Sequence, residues 1–300
     1  MISLSTITYT LDLKTKPRVL IDLRHVTPNK FASKEISEIK NLPVLEGGKK
    51  TRLSEIFEIS GPTKAPENPA SINIVIEQGS DKFCYVGYKM SNGSILIKGD
   101  AGHLIGYKMR GGKIVVKGNA RNYVGAKMKG GTIEIHGNVG HRLGGKLVGE
   151  KPSKGMRSGT IIVHGNAGSE VGVGMKGGLI VVEGSAGNLV GADMSGGTII
   201  VKESCGLYPG TGMLAGKIVI GREVKGILPS FYVDSLLPSI KVKGIVFNKP
   251  FMLFLGDVVV NGRGLLYISY EDNKDLLAVS YTHLRAHETS LHLVCRLLLE

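Results

Sequence analysis

Seven of the nine methionines in this chain stand on a lattice. Met90, Met109, Met128, Met156, Met175, Met194 and Met213 are separated by 19, 19, 28, 19, 19 and 19 residues, so the one exception is a period plus nine. Around each methionine the chain writes G-x-x-M-x-x-G-x-[IL]-x-[IV]-x-G. The copies are GYKMSNGSILIKG (87–99), GYKMRGGKIVVKG (106–118), GAKMKGGTIEIHG (125–137), SKGMRSGTIIVHG (153–165), GVGMKGGLIVVEG (172–184), GADMSGGTIIVKE (191–203) and GTGMLAGKIVIGR (210–222). A fixed period of this kind marks a stacked repeat architecture and limits the fold before any other feature is weighed.

Nineteen residues are too few for two packed helices, and glycine twice per unit opposes helix formation. Alternating β-branched triplets between glycine turns are strand signals instead. A strand so short cannot bury its own inner face, so neighbouring units must stack over one core. The expected fold class is all-β: a right-handed single-stranded parallel β-helix of seven 19-residue coils, flanked by N- and C-terminal β-rich caps. The hand follows the general rule for parallel crossovers. At ~4.8 Å per coil the prism is about 30 Å long. The expected organisation is an N-terminal strand and short-helix cap over 1–71, the repeats over 72–222 and a C-terminal cap over 223–277.

Pattern assigns the faces. The outer residues of each triplet share one side, taken as the interior: Ile95/Ile97, Ile114/Val116, Ile133/Ile135, Ile161/Val163, Ile180/Val182, Ile199/Val201 and Ile218/Ile220. The unbranched methionines suit irregular corners. Val86, Ile105, Val124, Leu143, Val171 and Val190 form a second interior stack. Asp100, Asn119, Asn138, Asn166, Ser185 and Ser204 share a corner where side chains can satisfy turn backbone. The middle residues of the triplets point outward, yet six of the seven are apolar: Leu96, Val115, Ile162, Val181, Ile200 and Val219, with Glu134 the exception. Such a stripe needs a cover, and the chain's own termini are expected to supply part of it.

Composition excludes some functions. No run approaches the roughly 18–20 apolar residues of a membrane helix, and the opening MISLSTITYTLDLKTK lacks a signal-peptide core. Cys84, Cys205 and Cys295 lie far apart, with neither disulfide nor metal-finger spacing, so the cytoplasm is expected. The net charge of +13 invites an anionic partner. The lysines are spread along the sequence and aromatics make up only 6%, which argues against nucleic acid. Residues 278–300 match nothing before them and look like translated adapter sequence. They are set aside as a non-native tail, with the native chain expected to reach about Leu277.

Candidate chemistry is sparse. GVGMKG (172–177) fits G-x-G-x-x-G, but a repeat coil follows where a dinucleotide site needs a helix. His136 and His164 hold one repeat position in adjacent coils, with Glu134 on the same outer face. Two imidazoles about 5 Å apart beside a carboxylate can hold a metal; a solvated ladder or a contact with another protein chain is the reading adopted. The nine-residue insertion KLVGEKPSK (146–154) must leave the prism at one corner. Its Lys146, Lys151 and Lys154, with Arg142 before and Arg157 after, are the candidate contacts for an anionic partner. Catalytic residues, bound cofactor and bound metal are expected to be absent.

The repeats, together with EISEIKNLPVLEGGKKTRLSEIFEISG (35–61), closely resemble the C subunit of formylmethanofuran dehydrogenase, whose signature is seven copies of this 13-residue motif. The resemblance covers roughly residues 5–275. A wider likeness, to the C-terminal β-helix of glutamate synthase, shares the repeats but not the N-terminal stretch. What the closer resemblance implies is a non-catalytic structural subunit of a cytoplasmic archaeal oxidoreductase complex. That complex reduces CO2 with methanofuran to N-formylmethanofuran, the first step of methanogenesis from CO2. It also implies tungsten or molybdenum on a pterin, a dinuclear metal centre and iron–sulfur clusters, all on other subunits. The partners implied are the molybdopterin-binding and amidohydrolase-like subunits, and methanofuran, whose glutamyl tail is anionic. The C subunit of a bacterial formyltransferase/hydrolase complex is similar, and the repeats alone do not separate the two. A stand-alone enzyme using a groove of the prism is the reading from a different class.

Overall fold

The computed structural model describes residues 6–276. Its dominant element is one 13-stranded sheet. The seven triplets lie in strands Ser94–Ile97, Lys113–Val116, Lys129–Ile135, Ser158–Val163, Leu179–Val182, Ser195–Val201 and Ala215–Ile220. All seven pair in parallel with their neighbours. The register aligns Ile95, Ile114, Ile133, Ile161, Ile180, Ile199 and Ile218 in one row, straight across the insertion. A one-residue slip would turn every triplet inside out, so the apolar pattern fixes this register.

The sheet is longer than the repeats. Strands Ile7–Leu13 and Ile72–Ile76 extend the parallel stack at one end, and Gly264–Ser269 extends it at the other. Antiparallel strands then close both ends: Phe57–Ser60 on Ile7–Leu13, and Phe251–Gly256 with Tyr232–Leu237 on Gly264–Ser269. The flanking segments lack the 19-residue period, but ITYTL and LLYIS carry the same alternation and dock on the row that the repeats leave open. The rest of the N-terminal segment forms short helices, Pro28–Phe31, Ile36–Lys40 and Leu53–Ile56, and a four-stranded sheet that reaches strand Phe83–Cys84.

Every interior position expected from the triplets is buried, as are the seven methionines and the Val86-to-Val190 stack. They belong to one core running from Tyr9 to Ile268. A further ladder of parallel bridges joins Ser80, Ala101, Ala120, Val139, Ala167, Ala186 and Cys205. These residues are small and buried, and Cys205 fills an alanine's place. The residue after the Asp/Asn/Ser corner is therefore also interior, a position that hydrophobic periodicity overlooks because alanine is too small to register.

Two side-chain ladders tie the turns. Asp100, Asn119, Asn138 and Asn166 each accept, through Oδ1, the backbone N–H of the corner residue one coil on, at 2.7–2.8 Å. The ladder ends at Ser185. The second ladder has no counterpart in the sequence pattern: Asn122 accepts from His141 N–H, His141 Nδ1 from Ser169 N–H, Ser169 from Asn188 N–H and Asn188 from Leu207 N–H. Each link satisfies an amide that an irregular turn would otherwise leave unpaired.

The first glycine of the motif has two reasons to be glycine. At Gly144, which holds this place in the fourth repeat just ahead of the insertion, φ is +64°, a left-handed value, and a Cβ there would lie 2.6 Å from Ile180 Cδ1. The same isoleucine row presses on Gly87, Gly106, Gly125, Gly172 and Gly191. Gly172 belongs to GVGMKG, which runs into strand Leu179–Val182 rather than a helix.

The outer stripe is covered over one half. Ile200, Val219 and Tyr267 are buried under Ile240, Val242 and Phe251, with Phe247 and Leu253 packed beside them. The hairpin Ile240–Val242 with Ile245–Phe247 thus supplies the expected intrachain cover. Leu96, Val115 and Ile162, nearer the other end, remain half-buried.

Candidate functional site

The basic residues are scattered in sequence but not in space. One coil is one period, so residues 19 apart stack on the same corner. Lys89, Lys108 and Lys127 precede Met90, Met109 and Met128, and Arg110, Lys129 and Arg157 follow Met109, Met128 and Met156. With Lys154 from the insertion, these line one cavity of about 350 Å³. Folding thus masses lysines that the linear sequence spreads, which corrects the expectation of dispersed charge. The signal for it is K-M-R and K-M-K in consecutive motifs.

Lys89, Lys108 and Lys127 have φ of 54°, 59° and 57°. The same position is left-handed in later coils too, at Gly174, where glycine is unstrained, at Asp193 and at Gly212. A non-glycine residue there costs on the order of 1 kcal/mol. Three coils in a row place an ammonium group there, whereas Asp193 places a carboxylate. Tyr88 and Tyr107 stack beside them with centroids 5.8 Å apart, and Lys89 and Lys108 lie 5.1 and 4.9 Å from the Tyr88 and Tyr107 ring centres. Among the described residues, one carboxylate enters this corner, Glu150, paired to Lys127. Burial pushes the Glu150 carboxyl up, but hydrogen bonds from Lys127 and the Leu147 amide outweigh it and hold the group below its ordinary value.

The residues expected as anionic-partner contacts are divided. Lys154 and Arg157 line the cavity, and Lys151 is exposed outside it. Lys146 pairs with Asp193 at 2.7 Å, and Arg142 pairs with Glu170. Those two cations are neutralised inside the chain. The insertion is tethered at three points, by Lys146 to Asp193, by Ser153 Oγ to Ser195 Oγ at 2.8 Å and by Glu150 to Lys127, while Val148, Gly149, Lys151 and Pro152 are exposed.

Glu134, His136 and His164 come together on the outer face of the sheet. The imidazole centroids are 5.0 Å apart. Glu134 Oε1 lies 3.2 Å from His136 Nε2 and 3.6 Å from His164 Nε2. His164 Nδ1 lies 2.7 Å from Glu183 Oε2, and Lys202 holds the other oxygen of Glu183. Lys113 contacts Glu134 Oε2 at 3.0 Å, and Lys117 contacts His136 Nε2 at 3.0 Å. Hydrogen bonding from Lys113 is the main reason the Glu134 carboxyl sits below its ordinary value.

A wider groove of about 1010 Å³ runs between glycines 159, 178, 197 and 216 and the hairpin that covers the sheet. Lys217, Lys241, Lys243 and Arg263 charge its rim. Its lining holds no carboxylate, imidazole or thiol. Cys84 and Cys205 are both buried. Among the described residues, no helix is long and apolar enough to cross a membrane.

Comparison with known proteins places this geometry among relatives. The chain is 35% identical over 88 residues to the C subunit of the tungsten-containing formylmethanofuran dehydrogenase 2 of Methanothermobacter wolfeii. It is 36% identical over 90 residues to the C subunit of the molybdenum-containing formylmethanofuran dehydrogenase 1 of Methanosarcina barkeri. The matches take in 29% of this chain, and the chain spans about a third of the length of the first of these relatives, 32%. A solved structure, the formyltransferase/hydrolase complex of Methylorubrum extorquens with methylofuran, contains a chain matched at TM-score 0.74 and 27% identity. That match covers 87% of this chain and 99% of the other. The GXGXG motif family matches residues 70–231, more than half of the sequence. The chain therefore belongs to the GXGXG motif family, and its named relatives are C subunits of formylmethanofuran dehydrogenase.

Proposed function

We propose that the chain is the non-catalytic C subunit of a formylmethanofuran dehydrogenase complex, acting as a rigid scaffold. In this reading the fold is a right-handed single-stranded parallel β-helix whose seven motif coils occupy 72–222 between caps at 1–71 and 223–277. The complex reduces CO2 with methanofuran to N-formylmethanofuran in the cytoplasm, with the molybdopterin-binding and amidohydrolase-like subunits as partners. What carries the reading is the similarity to C subunits of both tungsten and molybdenum enzymes. The unbroken core supports a scaffold role, since a prism bonded coil to coil holds its faces at fixed spacing.

The pterin metal, the dinuclear centre and the iron–sulfur clusters are assigned to other subunits. Among the described residues, thiolate ligation does not suit either cysteine, because burial pushes the Cys205 thiol up to about 12 and also raises Cys84. The basic corner is the docking place for an acidic surface of a partner or for a carboxylate-rich cofactor tail. The lysines and arginines converging on one cavity favour such a ligand and would speed its encounter.

A second reading, the C subunit of a formyltransferase/hydrolase complex, is favoured by the match to that assembly along almost the whole of its chain. Copurification decides between them. Affinity-tagged chain expressed with its neighbouring subunits should bring down a complex containing tungsten or molybdenum that oxidises N-formylmethanofuran with a viologen dye. A complex free of both metals that transfers or hydrolyses the formyl group supports the second reading. Recovery of the chain alone from cells making all subunits would overturn both. Within the complex, Lys108→Glu with Lys129→Glu should weaken assembly or substrate KM at least tenfold at low salt, and less at about 0.5 M salt.

A further inference from the structure

We propose that Glu134, His136 and His164 form a site for one divalent transition-metal ion of the zinc class on the outer face of the long sheet. The register that stacks the coils builds it. Strands Lys129–Ile135 and Ser158–Val163 pair with Ile135 beside Val163, so the next residues, His136 and His164, stand side by side. Glu134, two residues before His136, shares that outward face.

The hydrogen bonds leave three lone pairs pointing at one another. A carboxylate only accepts, so the 2.7 Å contact of His164 Nδ1 with Glu183 puts a proton on Nδ1, and the tautomer with that proton alone carries its lone pair on Nε2. An ammonium only donates, so Lys117 at 3.0 Å makes His136 Nε2 an acceptor as well. Glu134 Oε1 faces both nitrogens at 3.2 and 3.6 Å. On these tautomers three acceptors converge on one point, where Lys113 and Lys117 supply the positive charge that a bound metal ion would replace.

The spacing fits a metal. A tetrahedral ion with bonds of about 2.0–2.1 Å holds its donors roughly 3.3 Å apart, and the three donor atoms all lie within 4.8 Å of one another. Two imidazoles and a carboxylate suit zinc, cobalt or nickel over calcium or magnesium. The supporting shell is present too. A metal-bound histidine usually gives its other N–H to a carboxylate, and Glu183, held by Lys202, takes it from His164. The fourth position opens outward, because His136 and His164 are 36% and 37% exposed and Glu134 23%. Lys113 and Lys117 compete for the same lone pairs, and their flexible stems let them swing away.

The test uses the full chain, prepared metal-free, with His283, His287 and His292 changed to Ala and Cys295 to Ser, so that ligands in 278–300 do not contribute. Titration with Co2+ is followed by visible absorption, and with Zn2+ by calorimetry. One equivalent of each ion should bind. His136→Ala and His164→Ala should each weaken binding at least 100-fold while leaving the melting temperature unchanged without metal. Glu183→Gln should weaken it about 10–100-fold through lost orientation of His164, and Lys117→Met should tighten it. Binding below half an equivalent in the metal-free chain would overturn the proposal. So would affinity that survives both histidine substitutions, which would place the ion elsewhere.

Discussion

Cys205 illustrates how a single residue reports its place in the stack of strands. It continues the ladder in which other coils carry Ala101, Ala120, Ala167 and Ala186, and it bridges on to Val224. Burial raises its thiol from an ordinary 9.0 to about 12. A group whose folded pKa is raised favours the native state while it stays protonated. Its contribution is therefore complete below about pH 9 and is lost as the pH climbs toward about 12. Cys205→Ala should fold normally, cost little at neutral pH, and lose less stability than the parent between roughly pH 7.5 and 10.5, as read from urea midpoints. A parent and variant with parallel pH profiles would show that the thiol is not desolvated. The same residue marks a limit of sequence reading. Isoleucine and valine triplets announce the sheet by alternation, whereas an interior row of alanines carries no hydrophobic signal strong enough to be read as a face.

Among the elements, the insertion 146–154 is where charge pattern and structure diverge most. Its lysines are legible as a patch, but which of them stay free depends on carboxylates brought in from other coils: Glu150 takes Lys127, and Asp193 takes Lys146. Such pairings need the coil geometry, since Asp193 lies 47 residues from Lys146. The basic corner itself is readable from K-M-R and K-M-K once the period is translated into stacking. The His136/His164 pair is legible as neighbours, but not its Glu183 support, which sits one coil further on. Deleting 146–154 restores the 19-residue spacing between Met128 and Met156, so the stack should close over it. Exposed pairs contribute roughly 0–1 kcal/mol each, so the deletion should lower the unfolding free energy by no more than about 2 kcal/mol. It removes Lys154 and frees Lys127, so partner binding should change with a salt dependence that the parent does not share. A deletion variant that assembles and turns over as the parent does, at low and high salt alike, would make the loop passive.

The whole molecule is a stack whose ends have been closed, and the closing segments are the least legible part of the chain. Residues 1–71 and 223–277 lack the period. Nothing local in them states that Ile7–Leu13 and Gly264–Ser269 continue the parallel sheet, or that antiparallel strands follow at both ends. What they share with the repeats is alternation, which sets face but not partner. Their role follows from the edge problem: an exposed sheet edge invites pairing with another chain, so a solenoid needs capping segments. The C-terminal cap does two jobs, covering the edge after Ala215–Ile220 and burying Ile200 and Val219 on the outer face. Ending the chain after residue 222 therefore exposes a parallel edge and an apolar patch together. This variant should retain strand content by circular dichroism, because the coils before it keep their core, yet run as oligomers or precipitate in size-exclusion light scattering. Charged substitutions aimed only at the patch, Ile200→Lys with Val219→Lys in the truncated chain, should improve solubility without restoring a monomer, since the edge stays open. If the truncated chain is monomeric and melts as the parent does, the cap is an ornament and the coils close the stack unaided.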